Sequence, residues 1–229
     1  MVDGNEEAFR FYAHRGLSAV SHVLIGRVSA SPHERREHAG PGDLHRLPPG
    51  LPVPEDDGAA DHLPGTRVPE VRLTATRGEP VDLARAALDT LVLYVYPRTG
   101  GPGVALPTDW DEIPGARGCT AENCAFRDHA RELAAAGALV YGLSAQPFDE
   151  QRAFAEREAM PYPLLNDHDL LLADRLGLPT FEAGRLRLYR RLTLIARRGC
   201  IERVFYPVRS PARHGAEVLE WLQRQSAQP

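Results

Sequence analysis

Gly118-Cys119-Thr120-Ala121-Glu122-Asn123-Cys124-Ala125-Phe126-Arg127-Asp128 is the segment on which the fold and chemistry of this chain turn. A stretch rich in Gly and Pro, residues 97–118, precedes it, and alternating charges and alanines follow. The pattern predicts a helix over 120–136 with Cys119 at its opening. First-turn amides would point at the Cys119 sulfur, and the helix dipole favours a thiolate there. Thr120 and Glu122 suit a first turn. Cys124 lies five residues on. In a helix that spacing is about 140° round the axis and about 7.5 Å along it. A disulfide needs Cβ atoms about 3.8 Å apart. The two cysteines therefore cannot bridge on an intact helix. They are either a switch that works by unwinding the first turn and a half or two small buried core residues. The spacing leaves both readings open. It fits structural zinc poorly, because such sites favour paired cysteines with shorter spacers, and His129 reads as a surface residue.

Working outward, Leu91-Val92-Leu93-Tyr94-Val95-Tyr96 is apolar throughout, as a central strand covered on both faces should be. Val71–Ala75 alternates as a strand, and Ala138–Ser144 reads as another buried one. Helices are expected at 148–160, 170–176 and 216–224. Strands are expected at 187–196 and 201–206, joined by a turn at Arg198-Gly199. Strand, helix, strand, helix, then a hairpin and a final helix describe an α/β layer structure. Residues 48–66 hold five prolines and the acidic run Glu55-Asp56-Asp57, which predicts an extended surface lead-in. Residues 1–47 read as a flexible N-terminal extension, with a short helix around Phe9–Leu24, and 48–229 as the domain proper. The acidic start and interrupted apolar run fit a signal peptide poorly, so a cytoplasmic location is expected.

The chain has 229 residues, of which 43% are hydrophobic and 25% charged, ordinary values for a globular protein. A formal charge of −4 argues against nucleic acid or an anionic membrane as partner. All 27 basic residues are arginine, which excludes a catalytic lysine. No Gly-x-Gly-x-x-Gly or phosphate loop is present. Three cysteines do not make a disulfide framework; Cys200, alone after Gly199, reads as an incidental thiol.

Tyr96-Pro97 at a strand end, followed by Gly118-Cys119-Thr120-x-Glu122-x-Cys124-x-Phe126-Arg127-Asp128, resembles the atypical two-cysteine peroxiredoxins of the bacterioferritin-comigratory, or Q, type, within the alkyl hydroperoxide reductase/thiol-specific antioxidant superfamily. The resemblance covers about residues 65–225. It implies a thioredoxin-like fold, a mixed central sheet with helices on both faces. It also implies thiol-dependent reduction of hydrogen peroxide or organic hydroperoxides without a cofactor or metal. Cys119 would attack peroxide, Cys124 would resolve the sulfenic acid as a disulfide, and a thioredoxin-like dithiol would recycle the pair. The protein would be a monomer or homodimer.

Two departures shape the candidate site. The family's Pro and Thr, seven and three residues before the attacking cysteine, are replaced by Glu112 and Ala116. Pro97 and Thr99 lie farther upstream, so the active-site loop carries an insertion at about 100–117, and Thr99 becomes the candidate hydroxyl. The family also places an Arg on a strand nine residues before the Gly of the following turn. Counting back from Gly199 reaches Arg190, beside Arg191. Alternation on a strand lets one of them face the site, and Arg190 is the choice. The alternative function is a peroxide-sensing switch that signals through the same cysteines, with the inserted loop as docking surface. Trp110 in that loop is then either an exposed anchor or a cover over the site.

Overall fold

The computed structural model describes residues 45–102 and 106–226. The expected extension therefore falls almost wholly outside the described residues, as does its short helix. Among the described residues there are nine strands and six helices. The first half holds β1 (Arg72–Ala75), β2 (Val81–Asp82), α1 (Leu83–Ala86), β3 (Thr90–Val95), α2 (Cys119–Asp128), α3 (Ala130–Ala135), β4 (Ala138–Ser144) and α4 (Phe148–Arg157). The second holds β5 (Leu164–Asn166), α5 (Leu171–Leu176), β6 (Thr180–Ala183), β7 (Leu186–Tyr189), β8 (Leu192–Arg197), β9 (Cys200–Phe205) and α6 (Pro211–Ser226).

Seven strands form one sheet in the order β2-β1-β5-β4-β3-β8-β9. β3 runs parallel to β4 and antiparallel to β8, while β4 and β5 are parallel, so the sheet is mixed. The unbroken apolar run of β3 has this cause: Leu91 to Tyr96 are all buried between two neighbouring strands and the layers above and below. This is the thioredoxin-like α/β arrangement anticipated from the sequence.

Three elements differ from the sequence reading. The helix expected over 120–136 breaks at His129 into α2 and α3. The single strand expected over 187–196 is two. β7 pairs with β6 in a separate hairpin, β8 joins the main sheet, and Arg190 and Arg191 form the joint between them. The last helix starts at Pro211 rather than 216; Pro is at home in a first turn, where its missing N–H costs nothing.

α2 is positioned by the sheet on one side and α6 on the other. Phe126 is fully buried, stacked on Tyr94 of β3 with ring centroids 4.2 Å apart and meeting His214 of α6 edge-on at 5.5 Å. The two helices approach closely because residue 215 is Gly. A Cβ there would stand 2.6 Å from the Ala125 carbonyl oxygen. Replacement by Ala would gain about 1 kcal/mol of helix propensity. The obstacle, however, is rigid backbone, and overpacking of this kind costs about 1–3 kcal/mol. Gly215→Ala should therefore lower stability in urea denaturation, and Gly215→Val should lower it further. An unchanged midpoint would refute the close-approach argument.

Candidate active site

The loop after β3 enters α2 through Gly118, whose φ of 104° lies in the left-handed region that favours glycine. A side chain there would also meet Pro211 of α6 at 2.8 Å. This tight entry places Cys119 as the first residue of α2, as the sequence reading expects. Cys119 is buried, and its S–H donates to the Ala116 carbonyl at 3.5 Å.

The arginine beside it is Arg191. Its Nη2 stands 3.2 Å from the Cys119 sulfur, and the side chain is buried. The same nitrogen donates to the carbonyls of Gly115 and Arg117 at 3.2 and 3.1 Å. Its other terminal nitrogen, Nη1, donates to Oε2 of Glu122, one turn into α2 and fully buried. Arg190 instead turns outward, toward the Thr180 carbonyl at 3.4 Å and Asp57 at 3.9 Å. The choice of Arg190 is thus corrected. The count assumed one continuous strand, whereas both residues sit in the joint between β7 and β8. The Arg190 amide is bonded to the Pro179 carbonyl at 2.8 Å, which directs its side chain away.

Thr99 is also corrected. It is buried, but its amide donates to Gln146 Oε1 at 2.8 Å, and its hydroxyl accepts from Gln146 Nε2 at 3.0 Å. Cys119 opens into a cavity of about 230 Å³. Leu47, Pro48, Leu106, Trp110 and Ala116 give it apolar walls, and Arg46, Arg98 and Arg117 give it positive ones. Thr99 is not among the described residues that line it; Thr120 is. Trp110 is buried too, packed with Ala116, Ala183 and Leu188 and tilted against Phe181 at 6.1 Å. The loop is therefore folded onto the β6–β7 hairpin, and Trp110 is a wall of the site rather than an exposed anchor. Gln146 was not singled out from the sequence, Glu122 was noted only as a first-turn residue, and Arg191 only as the alternative to Arg190. Glu122 could have been singled out, because a carboxylate one turn after a helix-opening cysteine invites a buried partner.

The Cys119 thiol is pushed upward by burial and pulled back by the Arg191 charge and by hydrogen bonds from the Arg98 amide and Arg191, while the Glu122 carboxylate opposes them. Cys124, also buried, faces elsewhere. Its sulfur lies 3.7 Å from His45 Nδ1 and 3.8 Å from Glu158 Oε2. Burial raises that thiol to about 11. Both cysteines are free, as is the partly buried Cys200.

Thiolate reactivity falls about tenfold for each pH unit below the pKa. Removing the positive charge should therefore move the rise of Cys119 alkylation with pH to higher pH. Arg191→Ala alone would strand Glu122 and cost about 3–5 kcal/mol, so Arg191→Ala/Glu122→Gln is the informative variant. Its alkylation profile should shift upward relative to Glu122→Gln, and that of Arg190→Ala should match wild type. Coincident profiles for Glu122→Gln and the double variant would remove Arg191 from the site.

The Redoxin family profile matches residues 63–219. "Peroxiredoxin Q, chloroplastic" of Sedum lineare is 29% identical over 175 residues, 76% of this chain and 86% of that protein. Its namesake in Arabidopsis thaliana is 30% identical over 158 residues, 69% of this chain and 66% of that protein. Among solved structures, peroxidoxin BcpB of Mycobacterium tuberculosis superposes with a TM-score of 0.58 at 29% identity, covering 71% of this chain and 98% of that one. A PrxQ mutant of Xylella fastidiosa, at 20% identity, has the same fold with a TM-score of 0.59, covering 72% and 98%. Since the profile spans well over half of the chain and takes in the helix that Cys119 opens, the chain belongs to the Redoxin family, among the peroxiredoxins of the Q type.

Proposed function

We propose that the protein is a thiol-dependent peroxidase in which Cys119 is the attacking cysteine and Cys124 the resolving one. The observation that carries this reading is the Arg191 contact to the Cys119 sulfur, which lines a partly apolar cavity. The Cys119 thiolate attacks the terminal oxygen of a hydroperoxide. An S–O bond forms, the O–O bond breaks, and the leaving oxygen departs as an alcohol or water once it takes a proton. Arg191 and the Arg98 amide are fixed beforehand, so they meet the charge that moves from sulfur to oxygen without reorganising. Cys124 then attacks the Cys119 sulfur, releasing water and leaving a disulfide. A thioredoxin-like dithiol restores both thiols by exchange. The apolar walls suit an organic hydroperoxide as well as hydrogen peroxide. Trp110 is packed into the site and so does not serve the signalling alternative.

Resolution requires α2 to open. Asn123 donates to the Cys119 carbonyl at 2.8 Å and accepts from Tyr94 at 2.8 Å, which ties the first turn to β3. Opening must break these bonds and the Phe126–Tyr94 stack.

Cys119→Ser should abolish peroxide consumption, because a hydroxyl supplies no comparable nucleophile near neutral pH. Cys124→Ser should consume one equivalent and then stop when thioredoxin is the reductant; sustained normal turnover would defeat the resolving role. The oxidised protein should also exchange amides faster over 118–126 and lose helix content, and reduction should reverse both. Peptide mapping that finds Cys119 and Cys124 both free after one equivalent of peroxide would refute local unwinding.

A further inference from the structure

His45, Cys124 and Glu158 meet on the side of α2 away from Arg191. They bring together three donors typical of zinc: an imidazole nitrogen, a thiol sulfur and a carboxylate oxygen. All three donor atoms lie within 4.8 Å of one another. The sulfur is 3.7 Å from His45 Nδ1 and 3.8 Å from Glu158 Oε2, and His45 Nε2 is 3.7 Å from the same oxygen. Bond lengths to zinc of roughly 2.0–2.3 Å place the ligands of a tetrahedral ion about 3.5 Å apart. These short distances involve both His45 nitrogens; with one nitrogen per ion the donors lie within 4.8 Å, so the cluster must contract by up to roughly 1.3 Å to reach that spacing. Cys124 and Glu158 are buried, whereas His45 is half exposed. The far carboxylate oxygen, Oε1, is held by Arg157 at 3.1 Å, which leaves Oε2 aimed at the sulfur. The competing cation is Arg127, 3.7 Å from Oε2. That side chain is partly exposed and is also held by the Glu158 carbonyl and Asp128.

We propose that His45, Cys124 and Glu158 form a Zn²⁺ site that holds Cys124 in the folded helix. The fourth position opens to solvent beside His45. Binding displaces the Cys124 thiol proton to water and involves no electron transfer. If Cys124 is the resolving cysteine, as proposed above, the ion blocks the second step and leaves the first intact. Peroxide still oxidises Cys119, but the sulfenic acid waits.

The direct test is calorimetric titration of zinc chloride into the reduced, chelator-treated full chain. About one equivalent should bind, and affinity should drop about tenfold or more in His45→Ala, Glu158→Gln and Cys124→Ser. His45 is half exposed, so its replacement leaves the fold intact. Arg127→Gln should bind more tightly. No uptake by wild type, or equal uptake by Cys124→Ser, overturns the site. In a second arm, the reduced protein receives one equivalent of hydroperoxide with dimedone and no reductant. Without zinc the product should be the intramolecular disulfide; with saturating zinc it should be dimedone-labelled Cys119. Disulfide formation at an unchanged rate in saturating zinc overturns the proposal. Ligand-dependent zinc uptake in a protein that forms no intramolecular disulfide even without zinc supports the site and removes the resolving role of Cys124.

Discussion

The buried pair of Arg191 and Glu122 is the contact that makes a site out of three separate pieces of chain. One guanidinium joins the β7–β8 joint to the active-site loop, to the second half-turn of α2 and to the sulfur of Cys119. Taking both charges out of water is costly, and such a pair adds little net stability compared with an apolar core. What it confers is geometry. A planar fork can give one nitrogen to the carboxylate and the other to sulfur and carbonyls at once, which an ammonium group could not do. The arrangement is also incompletely satisfied: Glu122 Oε1 and Arg191 Nε have no hydrogen-bond partner among the described residues. The two partners act oppositely on Cys119, the guanidinium favouring thiolate and the carboxylate opposing it. Spending part of the arginine's charge on Glu122 therefore tempers the thiol as well as positioning it.

In the proposed mechanism α2 answers to two demands. It must be firm enough to present Cys119, and the bonds from Asn123 and the Phe126 stack supply that firmness. It must also be short enough to open, and the break at His129 limits it to ten residues. An isolated helix of that length has little stability of its own. Its integrity is borrowed from β3 and α6, so whatever loosens those contacts releases the helix. The two cysteines accordingly face different surroundings, one toward an arginine and a cavity, the other toward a histidine and a carboxylate.

Much of this was legible in the chain. The apolar run of β3 and the buried β4 announced a layered sheet, and the helix opening at Cys119 followed from the loop before it and the charges after it. The arginine was misplaced by one position because periodicity was carried across Arg190 and Arg191. Nothing local marks the strand break there: it arises when β7 leaves the main sheet to pair with β6. Thr99 was misread for a similar reason. Its hydroxyl is occupied by Gln146, some forty-seven positions away, and no local pattern reports such a partner. Glu122 was read only as a residue suited to a helix's first turn; it is fully buried, because its partner comes from a distant joint.

Trp110 has one more consequence. The chain contains two tryptophans. Trp110 forms a wall of the cavity into which Cys119 opens, whereas Trp221 sits on α6 beneath the guanidinium of Arg197 at 5.7 Å. One indole therefore shares a cavity with Cys119, and the other lies on the chain's last helix against Arg197. The molecule carries its own optical gauge of the site together with an internal standard, and its emission can be followed through a catalytic cycle without any attached label.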